Sequence, residues 1–218
     1  NINITFNKNE VATIVGVNGA GKTTLARLLS KVIKADKGAI KSEGQALYIM
    51  QDADYQLFGA SCLKELEISN MDKEINLNAL EELSLYDRRD AHPHSLSGGQ
   101  KQRLQMAISK VSDNRVIVLD EPTSGLDPLI QEEFFALLEE RRQAGGTVFL
   151  SSHVLSEVQN HCDRAAIIRQ GQIVATEDVA SLMKHQAKRV SLSGQVPGLA
   201  DLAGVSNWQA KGKDQVSF

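Results

Sequence analysis

Cysteine is almost missing from this 218-residue sequence: Cys62 and Cys162 are the only two. Two cannot make a disulfide framework, and each sits in a helix-like pattern, so both read as reduced thiols. Long apolar runs are missing as well. None approaches the ~18 residues of a membrane span, and no secretory leader pattern stands at the start. If the chain serves a membrane, it does so through a partner. A basic excess is also lacking. The net charge is −3, so no nucleic-acid partner is expected. What is present, 42% hydrophobic and 23% charged residues, is ordinary for a globular protein. Length alone points to one domain with a small appendage. The sequence opens at Asn1 and stops in the strand-like "DQVSF". Both ends are expected to be cuts within a longer chain.

Strand and helix patterns alternate along most of the sequence. "INITF" alternates apolar and polar residues as a half-buried strand does. "EVATIVGV" is a β-branched strand ending at glycine, and "GKTTLARLLSKVI" follows with leucines at helical spacing. "QALYIM" is a further strand. Residues 61–112 read as helical, through "CLKELEIS", "NLNALEELSL" and "GGQKQRLQMAISKV". "NRVIVLD" is continuously apolar, as in a parallel sheet covered on both faces. "DPLIQEEFFALLEERRQAGG" is a helix with Asp127 as N-cap and Pro128 at its first position. "TVFLSS" and "RAAIIRQ" are strands flanking the helix "HVLSEVQNHC". A helix is expected over "ATEDVASLMKHQ", then strands of a small add-on in "KRVSLSG" and "SNWQAKGKDQVSF". The pattern predicts an α/β core interrupted by an all-α lobe.

Chemistry concentrates first in "GVNGAGKTT", residues 16–24. It fits G-x-x-x-x-G-K-[ST], follows a strand and opens a helix, as the motif requires. A triphosphate needs many donors converging on its oxygens. Backbone N–H groups supply them only where side chains are absent, at Gly19 and Gly21, and the helix start adds its positive dipole end. Gly16, Asn18, Gly19, Ala20, Gly21, Lys22, Thr23 and Thr24 are therefore the candidate nucleotide-binding residues. Lys22 brings a positive charge to the β- and γ-phosphates, and the Thr23 hydroxyl can ligate Mg²⁺. In "VIVLDEP", Asp120 ends an apolar strand where a doubly wound sheet opens its ligand crevice. Its carboxylate can hold Mg²⁺. Glu121 follows at once and, on the strand pleat, would point the other way, toward an attacking water. "LSGGQ", residues 96–100, repeats the logic of the phosphate loop without lysine. Ser97 offers a hydroxyl, Gly98 and Gly99 offer backbone N–H groups, and a helix points its positive end at them. A serine N-cap alone would account for the pentapeptide. Two phosphate sites in one chain are both usable by one ATP if two copies pack head-to-tail, with Ser97, Gly98, Gly99 and Gln100 clamping the γ-phosphate held by the partner.

"GVNGAGKTT", "LSGGQ", "VIVLDEP", "SGLD" (124–127) and His153 after "FLSS" occur in the order and approximate spacing of the ATP-binding cassette ATPases. The sequence resembles that family from about residue 2 to about 185. The resemblance implies a P-loop NTPase fold: a RecA-like α/β core, a helical subdomain over about 52–112 and an antiparallel β-subdomain. It places the nucleotide-binding domain at 1–186 and a small C-terminal extension at 187–218. It implies ATP and Mg²⁺ as cofactors. Glu121, His153 and Lys22 become the catalytic residues, and Thr23, Gln51 and Asp120 the metal residues. Gln51 in "MQDADYQLF" resembles the glutamine that reaches Mg²⁺ and leads into the helical lobe. Asp127 resembles the aspartate that crosses the dimer interface, which does not conflict with its N-cap role. The partners implied are integral membrane permease subunits and a second ATPase copy or homologue. The location implied is peripheral, on the cytoplasmic face of the membrane.

Family members stack adenine on an aromatic residue in a strand upstream of "INITF", and no counterpart is identified within residues 1–218. Phe6 reads as core. The middle, "QDADYQLFGASCLKEL" with "HPHSLSGGQKQRLQMA", resembles ATPases of energy-coupling-factor importers. "SSHVLSEVQNHCDRAAIIRQGQIV" looks more like exporter cassettes, so neither cargo nor direction follows. A soluble cassette acting on ribosomes or DNA is the alternative, but its usual second cassette with basic linker, or long coiled-coil insertion, is not in these residues. A non-hydrolysing module is disfavoured because Glu121 and His153 are both intact. The expected function is ATP hydrolysis that powers transport.

Overall fold

The structure is a computed structural model describing residues 2–42, 44–184, 191–193, 209–210 and 215–217. The chain forms two compact units, residues 1–180 and 181–218. In the first, six strands form one sheet in the order β2-β3-β4-β1-β5-β6. These are β1 (Val11–Val15), β2 (Ala46–Ile49), β3 (Val116–Asp120), β4 (Thr147–Ser152), β5 (Arg164–Arg169) and β6 (Gln172–Asp178). The first five run parallel, and β6 pairs antiparallel with β5. Strands buried on both faces need apolar side chains throughout, and "VATIV", "VIVLD" and "TVFLSS" supply them.

Helix α1 (Lys22–Leu29) covers one face. Its Leu25 and Ala26 pack with Ile14, Tyr48, Val118, Phe149 and Ile168. On the other face, Ile49 and Leu119 line a small cavity together with Met106 of α4 (Gly98–Val111) and Phe134 of α5 (Pro128–Gln143). The helical lobe between β2 and β3 consists of α2 (Cys62–Glu67), α3 (Lys73–Glu82) and α4, and Leu66, Leu80 and Leu104 are fully buried. Caps set the ends. The carboxylate of Asp127 accepts from the N–H groups of Leu129 and Ile130, both at 3.1 Å, with Pro128 in the first turn, as the sequence pattern predicts. Asp72 caps α3 in the same way. Helices α6 (Leu155–His161) and α7 (Val179–Lys184) are the remaining α-helices among the described residues. The cysteines are free and buried. Burial, then the neighbouring charges of Asp163 and Glu157, push the Cys162 thiol up to about 12.

Three expectations from the sequence change. Residues 2–6 form no ladder, although burial alternates along them. Ile2 and Phe6 pack on the α1-side core, Phe6 edge-on to Phe149 with ring centroids 5.0 Å apart. The Thr5 carbonyl accepts from Arg164 Nη1 at 2.9 Å, so a side chain takes the place of a strand. Helix α1 stops at Leu29 rather than running to Ile33. The Ser30 hydroxyl donates back to the Ala26 carbonyl at 2.8 Å, and Lys31 turns left-handed at φ 59. "ATED" joins strand β6 instead of the following helix. Gln170 and Gly171, at φ 49 and 72, make the tight turn that folds it back on β5. In the second unit, β7 (Ser191–Ser193), β9 (Gln215–Ser217) and β8 (Gln209–Ala210) form an antiparallel sheet in that order. The remainder of the two add-on stretches lies outside the described residues.

Leu104, fully buried at the centre of the helical lobe, tests the packing. Leu104→Ala is expected to cost about 2–5 kcal/mol of stability through lost burial and the cavity left behind. Urea unfolding should show a lower midpoint at an unchanged slope.

Candidate functional site

Five parallel strands deliver their C-terminal ends to one edge of the sheet, where such folds open their crevice. The loop after β1 is residues 16–21, β2 leads to Gln51, β3 ends at Asp120, and β4 leads to His153. Motifs far apart in sequence thereby converge.

The loop after β1 is shaped by backbone demands. A Cβ on Gly16 would lie 2.6 Å from the Ile168 carbonyl oxygen, so only glycine lets the loop pass β5. Gly21 caps α1 at φ 108, a conformation that costs glycine little. No side chain caps that helix, so its first N–H groups are offered to the loop's concave side. Ala20 is buried, while Asn18 and Gly19 are exposed. Thr24 is exposed and Thr23 partly so. Lys22, only 5% exposed, curls back over the loop. Its Nζ donates to the Gly16 carbonyl at 2.9 Å and pairs with Glu121 Oε1 at 3.0 Å.

Glu121 gathers the site. Its other oxygen, Oε2, lies 3.4 Å from His153 Nδ1 and 3.5 Å from Gln51 Nε2. Its orientation does not come from the strand pleat, as the sequence implied. The strand stops at Asp120, and Glu121 turns left-handed at φ 46. A non-glycine residue held there stores roughly 1–3 kcal/mol of strain, a cost that clusters at functional sites. Ser151 holds the turn: its hydroxyl accepts from the Glu121 N–H at 2.9 Å and donates to Asp120 Oδ1 at 2.7 Å. The register of β3 on β4 sets Asp120 directly opposite Ser151. Tyr48 donates its hydroxyl to Asp120 Oδ2 at 3.1 Å. Burial first, then the Asp120 charge, raise the Tyr48 pKa, which keeps the phenol a donor. Tyr48 and Ser151 were not legible as site residues. Tyr48 reads as a core strand position and Ser151 as a strand end; only pairing between strands makes them partners.

The donor set fits a polyphosphate with a hard cation. Uncapped N–H groups and Lys22 suit phosphate oxygens. The Thr23 hydroxyl, Asp120 carboxylate and Gln51 amide oxygen suit Mg²⁺, which needs few protein ligands because phosphate and water supply the rest. No cluster of three or more His, Cys, Asp or Glu residues fit to hold a metal exists among the described residues.

"LSGGQ" and Asp127 stand apart from this cluster. Ser97 and Gln100 satisfy each other in a capping box at the start of α4, with Gln100 N–H to Ser97 Oγ at 3.4 Å and Ser97 N–H to Gln100 Oε1 at 3.0 Å. Gly98 and Gly99 have nothing within 4 Å of where a Cβ would be, so their backbone faces open space. Asp127 is spent on its helix cap.

Fold and loop together define a phosphate-loop nucleotide cassette with a helical insertion. A family profile described as ABC transporter matches residues 1–124, more than half of the 218. The chain belongs to the ABC transporter family. A methionine import ATP-binding protein of Haemophilus ducreyi is 30% identical over 88% of this chain and 62% of its own length. A Treponema denticola protein described as a putative ABC transporter ATP-binding protein is 34% identical over 79% of this chain and 38% of its own. The chain thus spans between 38% and 62% of these two relatives. A solved cassette of Clostridium perfringens, described as part of the transporter complex cbiONQ, superposes with a TM-score of 0.71 at 28% identity, covering 84% of this chain and 82% of that one.

Ser151 tests the acidic turn. Ser151→Ala leaves the half-buried Glu121 N–H without its acceptor and the buried Asp120 carboxylate without a donor, and a buried unsatisfied group costs about 1–3 kcal/mol. Calorimetric melting should show a destabilised protein; a melting temperature equal to that of the unsubstituted chain would mean that the hydroxyl supports nothing.

Proposed function

We propose that this chain is an ATP-binding and ATP-hydrolysing subunit that powers transport across a membrane. The observation that carries the reading is the Glu121 carboxylate, placed between Lys22 of the phosphate loop and His153. Backbone N–H groups of residues 16–24 and Lys22 bind the triphosphate. Thr23, Gln51 and Asp120 would hold Mg²⁺, which when bound neutralises phosphate charge. Glu121 orients and polarises the attacking water, and His153 meets the γ-phosphate or that water. Arrival of a phosphate gives Lys22 a competing anion, which releases Glu121 for the water.

Ser97, Gly98, Gly99 and Gln100 form a helix start whose surface is open at the two glycines, which favours an anion held by a second copy or homologue in a head-to-tail dimer, the capping box of Ser97 and Gln100 giving way to it. Asp127 lies at the same interface in this reading. Integral membrane permease subunits are the second partner, and the chain works peripherally on the cytoplasmic face of the membrane. Its placement within an ABC transporter family supports this, and no helix among the described residues is long and apolar enough to cross a membrane. Residues 1–186 act as the nucleotide-binding domain, with the helical lobe at about 52–112, and 187–218 as an extension.

Two substitutions test the reading. Glu121→Gln is expected to drop turnover by at least about a hundredfold, the scale of a lost general base, while ATP binding survives and an ATP-dependent dimer accumulates on sizing chromatography. Turnover at the unsubstituted rate would remove Glu121 from the chemistry. Ser97→Arg is expected to stop hydrolysis and leave monomer ATP affinity unchanged. Equal loss of monomer affinity would show that "LSGGQ" serves its own chain's nucleotide.

A further inference from the structure

Gln105 sits in the middle of α4 and is only 4% exposed. An amide buried there must find partners, since an unpaired one costs more than an apolar residue of its size. Gln105 finds them on β2's exit rather than on its own helix. Its Nε2 donates to the Met50 carbonyl at 3.1 Å and to Gln56 Oε1 at 3.0 Å. Gln56 in turn donates Nε2 to the Tyr48 carbonyl at 2.9 Å and accepts the Met50 N–H at 2.9 Å. β2 is an edge strand, so these two backbone groups have no neighbouring strand on that side. The Gln56 amide supplies both bonds, as the peptide group of a further strand would. The backbone partners leave one orientation: Met50 N–H demands the Gln56 oxygen and the Tyr48 carbonyl demands its nitrogen. The second lone pair of that oxygen then takes the Gln105 amide.

The short segment held this way touches both acidic residues of the site. Tyr48 donates to Asp120 and Gln51 approaches Glu121, from positions three residues apart. We propose that Gln105 is a positioning residue: through Gln56 it ties helix α4, whose N-terminus carries "LSGGQ", to residues 48–51 and so to the Asp120 and Glu121 carboxylates. A shift of α4 against the sheet moves Met50 and Gln56 with it. The state of the "LSGGQ" end is thereby felt at the carboxylates within one chain. The inference rests on the hydrolysis reading for its kinetic consequence and not for its geometry.

The test uses the full chain with Gln105→Met, which keeps length and volume without the amide, with Gln56→Met, and with the double substitution. Amide exchange followed by NMR is the first readout. Faster exchange at Met50 and Glu121 is expected in each variant, with little change at β1. The second is kinetic: kcat falls about tenfold to a hundredfold, the scale of a small misplacement of catalytic groups. KM and ATP affinity measured in EDTA stay near those of the unsubstituted chain, and the double variant is no worse than either single one. Unchanged exchange at Met50 and Glu121 overturns the proposal, as does an equal loss in kcat and in metal-free ATP affinity. If the unsubstituted chain fails to hydrolyse ATP, the function reading falls, and the exchange data alone still decide the tie between α4 and the carboxylates.

Discussion

Parallel pairing of β3 with β4 sets Asp120 opposite Ser151, and the geometry of the acidic pair follows from that register. Side chains opposite one another in a ladder share a face of the sheet. The Ser151 hydroxyl can therefore serve two masters at once, giving its proton to Asp120 and receiving the Glu121 N–H. The second bond holds Glu121 in a left-handed turn that a glutamate would otherwise avoid. Without that turn, the pleat alone would decide where the second carboxylate points. With it, Glu121 reaches Lys22 on one side and His153 on the other. A shift of one residue in the β3–β4 register would separate Asp120 and Glu121 from Ser151 and His153.

Around that turn, the two glycine-rich stretches show opposite states of the same device. At α1 the cap position has no side-chain bond, and the free N–H groups line the concave loop above Lys22. At α4 the capping box already satisfies two donors, while Gly98 and Gly99 leave the surface clear. In the proposed reading the first end holds an anion with its own lysine. The second is a self-satisfied terminus with a bare backbone surface at its two glycines. Side-chain amides then link the helix of the second end to the acidic pair. Gln105 and Gln56 occupy the open edge of β2 in place of a strand, and β2's last residues reach the acidic pair. An edge strand normally needs protection from stray pairing; here protection and communication are the same bonds.

The phosphate loop, "LSGGQ", the Asp120 and Glu121 pair, the Asp127 cap and the α/β alternation were all legible in the sequence. Each depends on residues adjacent in the chain, where backbone conformation and helix starts fix what neighbours can do. The orientation of Glu121, the roles of Tyr48 and Ser151, and the Gln56/Gln105 tie were decided only by the tertiary structure. Their partners stand 72, 31 and 49 residues apart in the chain, for Tyr48 with Asp120, Ser151 with Asp120 and Gln105 with Gln56. The same holds for the errors. Residues 2–6 alternate like a strand but find a core and an arginine instead of a ladder, and "ATED" reads as helix but pairs with β5. Period and propensity report what a segment can form. Which neighbour is present to complete its hydrogen bonds is settled by strand order and register, and those emerge only when the whole sheet assembles.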